Sequence, residues 1–300
     1  MNNYTSSTAD AVPLLLKEKA IPRERMWHYM DTRPIGVFDS GLGGLTVVRR
    51  LLEELPNEHI VYFGDTGRVP YGTRSADTIN RYTAEDCRFL RRHDVKMIIA
   101  ACGTASSVGA QVLNAQPIPA IGVVEATAKA AADATRSGRI GVIGTAATVQ
   151  TDAFGVAIRA HNPQAHVFSQ ACPLFVSLVE NGWIAEDDEV TIATAGRYLA
   201  PLMEAQIDTL IMGCTHFPLL APILQKILGD NVVLIDSGSA AAGAAKDLLT
   251  ARDMLAEREG GSCRFFVSDT PQGFASVANM FLGREVAADV ERIDPALLSE

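Results

Sequence analysis

Two cysteines stand in matching surroundings: Cys102 in "AACGTASS" and Cys214 in "MGCTHFP" each close an apolar run, with Thr104 or Thr215 just after. A thiolate and a thiol on opposite sides of one carbon can remove a weakly acidic proton and return another from the other face, because a free thiol pKa of ~8.5 is within reach of tuning. That is the chemistry of inverting a stereocentre beside a carboxylate. Both sulfurs precede an expected helix start, where a helix N-terminus would lower the thiol pKa and free N–H groups and hydroxyls would hold a carboxylate. Either cysteine alone reads equally well as a small buried hydrophobe. The symmetry of the pair favours the chemical reading.

Further candidates surround them. His216, two residues beyond Cys214, is placed to polarise that thiol or protonate part of a ligand. "FDSGLGGLT" puts Asp39 and Ser40 at a strand end before a glycine-rich helix entry, with a plain helix-cap role as the alternative for Asp39. Gly41 and Gly43 begin a dinucleotide fingerprint, but Thr46 occupies the third glycine position and no Gly-Lys-Ser/Thr follows, so both phosphate-loop patterns fail. "GDTGRVPYGTRS" is a turn-rich loop whose Tyr71 either lines a ligand or packs. Glu180 lies in a helical pattern and by itself reads as surface. The lysines avoid strand ends, which argues against a Schiff-base cofactor. The five cysteines include no C-x-x-C pair and form neither a disulfide framework nor a zinc signature.

These residues need a scaffold. From Pro34 onward, β-branched apolar runs ("PIGVF", "HIVYF", "VKMIIAA", "AIGVV", "RIGVIG", "HVFSQ", "DTLIMG", "NVVLID", "CRFFVS") alternate with segments of helical periodicity such as "GLTVVRRLLEEL" and "TIATAGRYLAPLMEA". Alternation of this kind predicts an α/β fold with a mostly parallel sheet covered by helices on both faces. Gly36 with Gly141, His59 with His166 and Cys102 with Cys214 recur in order at a nearly constant offset, which predicts two pseudo-symmetric three-layer α/β domains. Ligands in such sheets bind beyond the carboxyl ends of the strands, so the active site is expected in the cleft between the halves. The expected division is an N-terminal extension over 1–33, a first domain of 34–126 plus 236–300, and a second of 127–235.

The bulk composition narrows the partners. A 48% apolar and 20% charged chain of 300 residues is a globular one of about two domains. A net charge of −9 argues against non-specific nucleic-acid or anionic-membrane partners. No apolar run approaches a membrane span, and no apolar signal core precedes Pro34, so the cytoplasm is the expected compartment.

The motifs "IGVFDSGLGGLTV", "VYFGDTGRVPYGTRS", "AACGTASS", "GVIGTAATV", "CPLFVSLVENG" and "MGCTHFPLL" occur in the order found in glutamate racemases, which the chain resembles over about residues 34–270. The resemblance implies a cofactor-independent enzyme that interconverts L- and D-glutamate and supplies D-glutamate for peptidoglycan, with no metal and with a homodimer left open. It places the catalytic cysteines at Cys102 and Cys214, an assisting carboxylate at Asp39, and His216 and Glu180 on the second-cysteine side. Substrate contacts fall on Asp39, Ser40, Tyr71, Gly72, Gly103, Thr104, Thr145, Thr215 and His216. Two positions depart from the family: Gly103 stands where Asn is usual, removing two donors and one acceptor, and Ala126 stands in place of a proline. A racemase for aspartate or another amino acid, and an amino-acid-binding homologue with weakened catalysis, remain the alternatives.

Overall fold

The computed structural model describes residues 31–256, 260–271, 274–283 and 290–298. Its strands in chain order are β1 (Ile35–Asp39), β2 (Ile60–Gly64), β3 (Met97–Ala100), β4 (Ala120–Gly122), β5 (Arg139–Gly144), β6 (His166–Ala171), β7 (Thr209–Met212), β8 (Val233–Asp236), β9 (Cys263–Val267) and β10 (Val290–Arg292). The helices are α1 (Leu45–Glu54), α2 (Ala76–Arg91), α3 (Gly103–Val108), α4 (Ala110–Asn114), α5 (Val123–Ala134), α6 (Ala146–Gln150), α7 (Ala153–His161), α8 (Pro173–Glu180), α9 (Glu189–Glu204), α10 (Ala221–Leu228), α11 (Ser237–Ala251) and α12 (Phe274–Leu282).

Two sheets result, ordered β10-β9-β2-β1-β3-β4 and β6-β5-β7-β8, and every pairing in them is parallel. The run β2-β1-β3-β4 reappears as β6-β5-β7-β8, so the repeat in the sequence is a repeat of strand order. Strands β1, β2, β3 and β7 are buried along their whole length, which is why they read as continuous apolar runs rather than alternating ones.

Helices cover both faces of both sheets. One core joins β2 and β9 to α2 through Phe63, Phe89 and Phe266. Another joins β5 and β7 to α5 and α7 through Val142, Phe154 and Ile158. The largest runs through both halves, from Val37, Leu51 and Tyr62 to Phe175, Leu210 and Phe217. Helix α11 packs against α1 on one side and α5 on the other.

Some expectations shift in detail. "AIGVV" is a strand only to Gly122, and Val123 already opens α5. Strand β10 falls in none of the expected runs; it is three residues long and half exposed, so it carries no apolar signature. Of the expected extension, residues 1–30 lie outside the described residues. Among the described residues, no helix is long and apolar enough to cross a membrane.

Candidate active site

Chemistry-bearing residues gather where the strands end. Asp39 closes β1, the Tyr71 loop follows β2, and Cys102 follows β3; Thr145, Pro173 and Cys214 follow β5, β6 and β7. The carboxyl ends of the two sheets face each other across a cavity of about 320 Å³. Ser40, Tyr71, Gly72, Cys102, Gly103 and Thr104 line it from one side, and Thr145, Glu180, Cys214, Thr215 and His216 from the other. Its lining residues include no Lys or Arg, so a bound carboxylate would rely on hydroxyls, backbone N–H groups and His216. Among the described residues, no group of three or more His, Cys, Asp or Glu is placed to hold a metal ion.

Asp39 is not in the lining. It is buried behind it, and its Oδ2 accepts from the Gly41 N–H at 3.0 Å. Burial raises its carboxyl above the usual range, against the pull of His216 and the backbone N–H groups of Gly44, Gly41 and Ser40. Tyr71 is buried too, with its hydroxyl bonded to Asp65 and Asp86 rather than free for a ligand. The loop turns there through a short 3-10 segment, Tyr71–Thr73.

The two thiols differ. Cys102 caps α3, its Sγ accepting from the Ala105 N–H at 3.4 Å and lying 3.5 Å from Ser40 Oγ. The expectation that a helix N-terminus lowers this thiol is reversed. Burial, and then the Asp39 carboxylate, push Cys102 up to about 12 despite those hydrogen bonds, because desolvation of the charged sulfur outweighs one helix turn. The helix expected directly after Cys214 is also absent: a 3-10 turn at Phe217–Leu220 intervenes and α10 begins at Ala221.

Beside Cys214 the agent is a side chain. His216 Nδ1 lies 3.8 Å from Cys214 Sγ, and Nε2 lies 3.1 Å from Glu180 Oε1. Burial works against a charge on this ring, but Cys214, Glu180 and Asp39 outweigh it and raise His216 to about 10. At neutral pH an imidazolium therefore sits next to one sulfur while the other sulfur keeps its proton.

A line of threonine hydroxyls crosses the cleft. Thr104 Oγ1 lies 3.0 Å from Thr145 Oγ1, which lies 3.0 Å from Thr148 Oγ1. Thr145 also caps α6 through the Thr148 N–H. On the opposite flank the Thr46 hydroxyl lies 2.9 Å from the Gly43 carbonyl oxygen and 3.2 Å from that of Thr215, its one proton shared between them, tying α1 to the Cys214 loop. Gly103 lies against Gly213: a Cβ built on it would run into the Gly213 carbonyl oxygen. Thr46, Thr148 and the lining residues Val69, Pro70, Thr73, Val176 and Ser177 were not among the expected site residues. The "GTAATV" motif carries Thr148, whereas Thr46 drew notice only as a missing glycine.

Known proteins resemble this chain over most of its length. Residues 35–245 match the family model described as Asp/Glu/Hydantoin racemase. A glutamate racemase from Geobacter metallireducens is 46% identical over 256 residues, covering 85% of this chain and 94% of its own length. Among solved structures, a glutamate racemase isoform from Bacillus anthracis superposes with a TM-score of 0.84 at 36% identity, covering 88% of this chain and 98% of that one. The Francisella tularensis glutamate racemase in complex with D-glutamate gives a TM-score of 0.82 at 39% identity, again covering 88% of this chain and 98% of that one.

Proposed function

The chain belongs to the Asp/Glu/hydantoin racemase family, among its glutamate racemases, and from that premise we propose that it interconverts L- and D-glutamate with Cys102 and Cys214 as the two proton-transfer groups. The observation that carries this is the pair of sulfurs lining one cavity from its two walls, Cys102 at the end of β3 beside Ser40 and Cys214 at the end of β7 beside His216. In one direction the Cys214 sulfur, as thiolate, takes the α-proton of glutamate, and the Cys102 thiol donates its proton to the opposite face of the same carbon. Cys214 is then the thiol and Cys102 the thiolate, and the reverse reaction restores the starting state. Each turnover makes one C–H bond and breaks one, with no net change in protons.

In this reading His216 steadies charge at Cys214, with Glu180 behind it. Asp39 acts on Cys102 from beneath the lining, so a proton leaving or reaching that sulfur feels its field. Ser40, the Tyr71–Gly72 backbone, Gly103, Thr104, Thr145 and Thr215 receive the substrate's carboxylates and amine. The two sheets, β1–β4 with β9 and β10 on one side and β5–β8 on the other, support a division into two domains near 126/127 and 235/236, the first boundary falling inside α5 and the second one residue before the end of β8. D-glutamate made in the cytoplasm for peptidoglycan is the physiological role. A homodimer is the assembly proposed, the exposed Leu174, Trp183 and Val190 offering apolar surface for it.

The decisive measurement is incubation with L-glutamate in D₂O without cofactor. D-glutamate deuterated at Cα is expected, and absence of α-proton exchange refutes the reading. Cys102→Ala and Cys214→Ala should each abolish racemisation, because either change removes one face's proton carrier.

A further inference from the structure

A buried cluster that the proposed chemistry does not use lies behind the Val69–Thr73 wall of the cavity. Asp65, Arg68 and Tyr71 come from the loop between β2 and α2, and Glu85 and Asp86 from α2. Arg68 Nε donates to Asp65 Oδ2 at 2.6 Å, Nη2 donates to Asp86 Oδ1 at 3.1 Å, and Nη1 donates to Glu85. The Ser268 hydroxyl, at the end of β9, donates to Asp65 Oδ1 at 2.7 Å. Asp65 and Asp86 have no solvent exposure.

The Tyr71 hydroxyl oxygen lies 2.5 Å from Asp65 Oδ2 and 2.8 Å from Asp86 Oδ2. A phenol has one proton to donate. Asp65 already accepts from Arg68 and Ser268, which marks it as the anion that receives the Tyr71 proton as well. The contact between Tyr71 and Asp86 then needs a second proton, and only the Asp86 carboxyl can carry it. The charge balance points the same way, since three carboxyl groups surround a single guanidinium. Burial, with the Asp65 charge next, holds the Asp86 carboxyl well above the usual carboxylate range. The titratable and charged groups facing it are Asp65, Arg68 and Tyr71 from the loop and Glu85 and Cys87 from its own helix.

We propose that Asp86 is a positioning residue that keeps its proton at neutral pH and, by bonding it to Tyr71, fixes the Val69–Thr73 wall of the cavity. The role in substrate binding rests on the reading of this cavity as the glutamate site. Because the protonated form is the one the fold selects, the brace is complete at low pH and is lost as pH rises through the raised Asp86 value. The loss should appear as a rise in KM for glutamate at alkaline pH.

Two measurements test this, and they fail separately. In protein labelled with ¹³C at the aspartate carboxyl carbons, the Asp86 resonance, assigned by its absence in Asp86→Asn, should keep the shift of a protonated acid at pH 7. A carboxylate shift there overturns the proposal whatever the enzyme does with glutamate. Kinetically, Asp86→Asn keeps a donor for Tyr71 and should leave KM within about threefold of wild type, whereas Asp86→Ala strands buried polar partners and should raise KM about tenfold with a smaller change in kcat. Asp86→Asn should also remove the alkaline rise in KM. Asn as damaging as Ala, or an unchanged alkaline rise in Asp86→Asn, overturns the proposal. Wild-type protein without racemisation refutes the functional reading and leaves the resonance to decide the proton.

Discussion

A methyl group added at Gly103 would meet the carbonyl oxygen of Gly213, the backbone just before Cys214 on the opposite loop. The place from which the usual Asn side chain would leave the backbone is therefore occupied, and the two cysteine-bearing loops sit closer than a side chain there allows. Gly103→Asn supplies the family's residue, yet it should lower kcat/KM by about tenfold or more and cost roughly 1–3 kcal/mol of stability, because a backbone carbonyl has to move. Gly103→Ala, which adds no polar contact, separates the two effects and should lose nearly as much. Equal or higher activity in Gly103→Asn would mean that a missing ligand contact, rather than loop spacing, dominates this position. The cysteines show what the residue scale hides in a sequence. Their pairing was legible from matching motifs, but the direction of the Cys102 shift was not, because it depends on burial and on Asp39 lying beneath the sulfur.

At the scale of elements, α8 matters for the single carboxylate at its end. Glu180 reaches His216 at 3.1 Å, but its side chain is 51% exposed, and ion pairs open to solvent contribute only ~0–1 kcal/mol. Glu180→Gln should therefore lower kcat by a few-fold at most. His216→Asn removes the cation beside Cys214 and should cost on the order of 10²-fold in kcat, the scale of a lost proton-transfer partner. The sign with pH follows from the raised value: His216 carries its charge below about 10 and loses it as pH rises through that point. An alkaline fall in kcat is expected there, moved to lower pH in Glu180→Gln; kcat without an alkaline fall would remove His216 from the chemistry. Buried parallel strands announce themselves as apolar runs, so most of the sheet was readable beforehand. The 3-10 turn after Cys214, the brace of α2 behind Tyr71 and the half-exposed β10 were not, since each is fixed by tertiary packing rather than by periodicity.

For the whole molecule, the cavity belongs to neither sheet alone. Its walls come from loops of both, and the main core continues between them through α1, α11 and the helices of the second half. A ligand that contacts both walls binds only when the halves are folded and apposed, so its binding free energy adds to the stability of the entire chain. At a D-glutamate concentration 100-fold above Kd the gain is about 2.7 kcal/mol, or a rise in Tm of roughly 4 °C for a chain of this size. Cys214→Ala deletes a proton carrier while leaving the hydroxyls and backbone groups of both walls in place, so it should keep most of this shift while losing turnover. Thr145→Val removes a hydroxyl that joins the walls across the cleft to Thr104 and should reduce the shift in the active protein. Calorimetric scans with and without D-glutamate on the three proteins check this. No shift in the wild type would show that glutamate does not bridge the two halves, and an undiminished shift in Thr145→Val would show that the threonine line carries none of the closure.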